Sequence, residues 1–205
     1  MPDAVPVIRR AVAADLPWAA GALAEAFADY AWTRWVVDER DHRQRLEQLY
    51  GIYLKVALQL GQLWVSDDAA AVAAWTSSRS AAAQDELFER DGLIERIAQL
   101  SGARIDNVAR GIEALLPYAP RDEHWVLAAV GVLPARQGEG LGTRVLEPAL
   151  ADLDARGEPA VLDTSSAANV RLYERLGFVT TAELDMPDGG PHVWLMRREP
   201  LTPRR

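Results

Sequence analysis

Cysteine is absent from the 205-residue sequence, so it holds no disulfide, no thiol nucleophile and no cysteine-ligated metal. Histidine is scarce: His42, His124 and His192 are scattered without metal-ligand spacing, and no metal is expected. Long apolar runs are missing too. The longest, Trp125 to Leu133, falls far short of the roughly 18–20 residues a membrane helix needs. The opening MPDAVPVIRR has no apolar segment behind a basic one, so a leader is not expected and a cytoplasmic protein is.

Positive charge is also in short supply, with 22 Lys and Arg against 30 Asp and Glu and a formal net charge of −8. Neither a nucleic-acid partner, which needs a basic face, nor a membrane partner is expected. An anionic ligand must then be held by local backbone donors and nearby arginines. An acidic surface mildly attracts a cationic partner. What remains is an ordinary composition, 49% hydrophobic and 25% charged, in a chain long enough for one substantial core.

The most informative stretch is HWVLAAVGVLPARQGEGLG, from His124 to Gly142. It opens with strand-forming residues and stops at Pro134, which has no N–H for a sheet ladder. Gln137, Gly138, Glu139, Gly140, Leu141 and Gly142 then lead into Thr143-Arg144-Val145-Leu146, which reads as helix. Glycines allow positive φ and close approach, and free N–H groups gather where a helix dipole begins, a site for phosphate oxygens. The nucleotide P-loop is excluded, because Thr143 follows Gly142 without a lysine. A dinucleotide fingerprint would need glycine in place of Thr143, although Asp163 stands about where its ribose-binding acid falls. A glycine turn without a ligand is a second reading. The third is Gln-x-x-Gly-x-Gly at 137, 140 and 142, behind Val132-Leu133-Pro134.

Along the chain, Val5 to Arg9 reads as a short strand, and Asp15 with Pro17 marks a helix start that runs to Tyr30. A linker with Trp32 and Trp35 leads to an amphipathic helix over 40–60, with Tyr50 and Tyr53 on its apolar face. Segments 62–66 and 71–76 read as a hairpin turning at Asp67-Asp68. A helical insertion is predicted over about 78–120, broken at Gly92 and at Ser101-Gly102. Helix then covers 143–155 with Pro148 as a candidate kink, strand covers 160–164, and a short helix over 168–176 stops at Gly177. Two closing strands follow, 178–185 and 193–196. Strand, helix, strand implies a parallel crossover, and a single α/β domain over 1–205 is predicted. Trp64, Trp75 and Trp194 are assigned to the core.

Asn169 and Tyr173 are four apart, on one face of the short helix. Asn169-x-x-x-Tyr173-Glu174-x-x-Gly177-Phe178 downstream of Gln-x-x-Gly-x-Gly resembles the paired motifs of the GCN5-related N-acetyltransferase (GNAT) family. The resemblance implies an α/β (α+β) fold whose mixed central sheet has parallel strands splayed at the cofactor site and helices on both faces. It also implies acetyl-CoA (coenzyme A) as cofactor and acyl donor. The pantetheine arm would pair with backbone at Val130, Gly131 and Val132, and residues 137–143 would hold the diphosphate. Thr164 and Asn169 would contact the cofactor, and Tyr173 would hydrogen-bond the thioester sulfur.

That role for Tyr173 is chemically sound: a phenol of pKa about 10 can serve a leaving thiolate whose conjugate acid sits near 8.5. A general base is harder to find. The family places one at positions matching Val126 or Ala128, both apolar here; His124 shares their face one step further out and is the candidate base, acting through a water. An α-amine, pKa about 7.7–8.0, needs less help from a base than a lysine near 10.4, so a weakly basic primary amine on a small molecule is the expected acceptor. A likeness running through Ala26–Tyr30, Trp64–Asp68, Ala71–Thr76 and Thr164-Ser165 is nearest to family members that acetylate aminonucleosides. The acceptor walls this implies are Asp29, Tyr30, Trp32, Trp35 and His124. Acylation of a peptide N-terminus and a non-catalytic acyl-CoA sensor are the alternatives.

Overall fold

The computed structural model describes residues 6–201, so Val5 of the expected first strand lies outside the described residues. In chain order the elements are β1 (Ile8–Arg10), α1 (Leu16–Ala26), α2 (Ala31–Val36), α3 (His42–Leu60), β2 (Gln62–Ser66) and β3 (Ala71–Ser77). Helices α4 (Ala81–Arg90), α5 (Leu93–Ser101) and α6 (Ile105–Leu115) follow, then β4 (Trp125–Val132) and α7 (Leu141–Arg156). The chain closes with β5 (Ala160–Thr164), α8 (Ala167–Arg175), β6 (Val179–Asp185) and β7 (His192–Arg198). The expected linker around Trp32 and Trp35 is itself a short helix, α2, and α7 runs unbroken through Pro148.

The seven strands form one mixed sheet in the order β1-β2-β3-β4-β5-β7-β6, antiparallel except where β4 meets β5. Each face carries its own apolar layer. On one face α1 and α3 pack Leu23, Leu46 and Leu54 against Val65, Val72 and Ala129. On the other, α7 packs Val145, Leu146 and Leu153 against Ala73, Trp75 and Leu127. Trp75 is fully buried, while Trp64 and Trp194 are half-buried against the second layer.

Two local features aim this frame at a site. Ala74 pairs with Ala129 but Trp75 pairs with Leu127, so Ala128 is an extra residue, a β-bulge. The bulge switches the faces of β4: Trp125 and Leu127 lie in the α7 layer, whereas Ala129 joins the α1 layer. Then Gly131 lets α1 come close. A Cβ there would sit 2.7 Å from Leu23 Cδ2 and 3.2 Å from Ala26 Cβ, so any larger residue would push away the helix end that carries Phe27 and Tyr30.

Candidate active site

Parallel pairing of β4 with β5 is limited to Trp125 with Ala160 and Val126 with Val161. Beyond that point β5 stays paired with β7 through Thr164, while β4 stays paired with β3 through Val132. The two strands therefore part, as expected from the resemblance. Buried backbone needs partners, so an open wedge lined by unpaired strand edge is a place where another chain-like molecule can hydrogen-bond. Three cavities follow one another through it. A groove of about 530 Å³ shares Tyr30, Val130, Asn169 and Tyr173 with a central chamber of about 230 Å³. That chamber shares Leu115 and Asp163 with a third cavity of about 520 Å³ on the far side.

The groove is built from backbone. Gly138 and Gly140 hold φ of 85° and 77°, the left-handed region that glycine enters without the Cβ penalty. Gly140 ends the turn and α7 begins at Leu141 without a side-chain cap, leaving the first-turn amides for an anion. A Cβ at Gly138 or Gly140 would meet nothing within 4 Å, so the turn lies open to a ligand. Val130, Gly131, Val132, Gln137, Leu141, Gly142 and Thr143 all line this groove. A diphosphate with a long flexible arm fits this set: amides at one end, a strand edge running inward. Gln137 has a second task, donating Nε2 to the Val132 carbonyl at 3.2 Å and so tying the turn to the strand end.

Two expected contacts differ. Glu139 does not line the groove; its carboxylate is paired with Arg136 at 2.8 Å, and Arg136 is paired in turn with Asp68 at 2.6 Å. Thr164 lines the central chamber and not the groove; it is buried, and its Oγ1 meets the Tyr30 hydroxyl at 2.9 Å and the Ser166 amide at 3.3 Å. Its role is to hold Tyr30. The Tyr30 hydroxyl also accepts from the Ser165 amide at 2.6 Å, so the α1–α2 connection is pinned to the end of β5. Ser166 caps α8 by accepting from the Asn169 amide, which turns Asn169 and Tyr173 toward groove and chamber together.

Tyr173 stands where groove and chamber meet, its ring edge-on to Phe178. Burial pushes its phenol well above the ordinary tyrosine range, with the carboxylate of Asp163 adding to the shift. It therefore keeps its proton at neutral pH and has an O–H to offer. Asp163 was not singled out as a catalytic group in the sequence, yet it lies between the central chamber and the far cavity. Its side chain is exposed into the cleft, and the protein crowded around that cleft raises its carboxyl from the ordinary aspartate value by desolvation. Its own amide is its one hydrogen-bond donor among the described residues. The carboxylate missing from Val126 and Ala128 on β4 is thus present in the cleft, entering from β5.

The acceptor-side expectations divide. Tyr30 and Trp32 line the chamber. Trp35 does not: it is buried in the core, packed edge-on to Trp32 and covered closely by Gly111 and Gly190, so its wall role is corrected to packing. Asp29 points to solvent, its side chain 90% exposed and paired with Arg34 at 2.6 Å, and it cannot receive an ammonium in the chamber. His124 lies at the opposite end of β4, in a separate pocket with Arg79, Arg156 and Glu158, its Nδ1 against the Asp122 carbonyl at 2.7 Å. The structure does not bring it to Tyr173. All five tyrosines line the chamber or the far cavity: Tyr118 the latter, and in the chamber Tyr50 and Tyr53, which amphipathic spacing places on an apolar helix face, with Tyr30 and Tyr173. For Asp163 a signal existed: it is the lone charge in the strand AVLDT and alternates with Val161.

Known proteins share this frame. Over 85 residues the chain is 36% identical to an uncharacterized N-acetyltransferase of Schizosaccharomyces pombe, covering 40% of this chain and 34% of that protein's length. The crystal structure of histone acetyltransferase HPA2 and related acetyltransferase from Corynebacterium glutamicum matches with a TM-score of 0.72 at 23% identity, over 98% of this chain and all of that one. The structure of yncA from Salmonella typhimurium with its cofactor acetyl-CoA matches with a TM-score of 0.54 at 18% identity, over 98% of each chain. At those identities the two structures establish the fold. Residues 68–178, more than half of the sequence, match the Acetyltransferase (GNAT) family, and the chain belongs to that family.

Proposed function

We propose that this protein is an acetyl-CoA-dependent N-acetyltransferase that moves an acetyl group directly to the primary amine of a small molecule. One observation carries the reading: the wedge between β4 and β5 joins an amide cradle on one side to a chamber holding Tyr173 and Asp163 on the other. Bound acetyl-CoA supplies an activated thioester. The amides of 138–143 bind its diphosphate, and the backbone of Val130 and Val132 orients its arm and polarises the thioester carbonyl. Tyr173 Oη donates a hydrogen bond toward the sulfur as charge develops there. Because burial keeps the phenol protonated, that donor is in place throughout the neutral pH range.

The acceptor we propose to test first is puromycin, an aminonucleoside with a free α-amine. The likeness at Ala26–Tyr30, Trp64–Asp68 and Thr164-Ser165 supports it, and so do the aromatic walls of the chamber. The experiment is acetyl-CoA calorimetry beside a thiol-release assay with puromycin and a panel of simple primary amines. Heat together with thiol release establishes the transferase. Heat without thiol release from any amine indicates an acyl-CoA sensor instead.

A further inference from the structure

The far cavity belongs to the same passage but is made of different material. Ile112, Leu115 and Leu116 cover it from the helical segment between β3 and β4, and Val126, Val161 and Leu195 form its floor on the sheet. At about 520 Å³ it is in the range that holds a drug-sized molecule. Its polar groups are few and unequal. Asp122 is engaged by Arg197 through two hydrogen bonds of 2.7 and 3.1 Å, and Arg197 is also paired with Glu199. Asp163 has no such partner: among the described residues no cation pairs with it. Tyr53 and Tyr173 lie near enough to feel its charge, and neither is a cation.

Asp163 is exposed into the cleft where the chamber meets the far cavity, and with no counter-charge among the described residues its carboxylate is open to a cation that enters the passage. A ligand that brings a positive charge to that point gains a charge-assisted hydrogen bond. We infer that Asp163 receives the ammonium of the acceptor and takes its proton, while the apolar cavity beyond it receives a bulky, uncharged aromatic or aliphatic body attached to that amine. This rests on the transferase reading above and specifies its acceptor class. The proton step balances simply: one N–H bond of the ammonium breaks, an O–H bond forms on the carboxylate, and the amine is left neutral with its lone pair facing the chamber that holds Tyr173. The open side of the far cavity then lets the proton pass to solvent. Free amino acids are disfavoured, since the carboxylate beside their amine would be brought against Asp163.

The test compares L-phenylalaninamide with L-alaninamide, which carry the same α-amine and differ by a phenyl ring. Thiol release with acetyl-CoA is followed for the full chain and for Asp163→Asn, a substitution of the same shape, with acetyl-CoA affinity measured by calorimetry on both. The phenyl compound should show a kcat/KM higher by about 10- to 150-fold, the worth of burying such a side chain. Asp163→Asn should lower kcat/KM for both by roughly a hundredfold or more, with acetyl-CoA affinity unchanged. A second variant, Val161→Phe, narrows the cavity and should penalise the phenyl compound more than the methyl one. Equal turnover of the two amides, or an Asp163→Asn enzyme within about threefold of the parent, overturns the acceptor assignment and leaves the transferase standing. Absence of heat with acetyl-CoA in the parent protein removes the transferase itself, and the acceptor assignment with it.

Discussion

The two ends of the passage are built by opposite means. The groove on the α7 side presents main chain: glycines in left-handed conformations, first-turn amides and a strand edge that β5 has left. The cavity on the α6 side presents side chains: an apolar lining and, among the described residues, one carboxylate without an ion-pair partner. Main-chain donors are common to every sequence that can form the turn, whereas side chains change freely. One end is thus suited to a constant cofactor and the other to a particular acceptor, with Tyr173 at the boundary.

Substitutions on each side should separate in their effects. The largest belongs to the boundary. Tyr173→Phe removes the donor at the leaving sulfur and should lower kcat by about 10²- to 10³-fold, the usual loss for a preorganised donor, with acetyl-CoA affinity kept. Steady-state kinetics beside calorimetry checks this. If kcat is unchanged, the boundary role is lost.

Next comes a clamp at the C-terminal end of α7, away from the groove. Arg198 is buried and donates to both carboxylate oxygens of Asp154 at 2.7 Å, and its Nε donates to the Leu176 carbonyl at 2.8 Å. Asp154→Ala leaves that guanidinium uncompensated and should cost about 3 kcal/mol of stability in denaturant unfolding. The same pair carries a pH signature. Arg198 holds the Asp154 carboxyl below the ordinary range, so its contribution is full above about pH 4 and is lost as pH falls further. The variant should lack that part of the acid dependence.

Gly140→Asp tests the cradle alone. It forces a side chain into φ of 77° and brings a negative charge to the anion site, and acetyl-CoA affinity should fall by roughly 10- to 100-fold. The preference between amide acceptors should stay as it was. The smallest effects are expected from Asp29→Ala and His124→Ala. The first breaks only an exposed ion pair worth about 0–1 kcal/mol, and the second removes a ring in a separate pocket, so both should leave kcat/KM within about twofold. A tenfold loss in either, roughly 1.4 kcal/mol of transition-state stabilisation, would return that residue to the site.

The same division explains what could be read from the chain. The groove is local: residues 130–143 and 166–175 supply nearly all of it, and glycine-rich turns announce the conformations they adopt. The acceptor side is assembled from segments near 30, 50, 115, 163 and 195, whose meeting depends on the whole sheet. Tyr50 and Tyr53 looked like one more apolar helix face, and only α3 lying across the wedge makes them wall. Asp29 was taken by Arg34, and Trp35 was drawn into the core by glycines far away at 111 and 190. The bulge at Ala128 has no local pattern that marks it, although it decides which side of β4 meets the cavity.

Backbone hydrogen exchange with and without acetyl-CoA tests the central claim most directly. Slowed exchange concentrated at the amides of 138–143 and along the free edge of β4 at Val130 and Val132, with β1 and β2 unaffected, is the result expected. Unchanged exchange in those two stretches while acetyl-CoA binds elsewhere would contradict it.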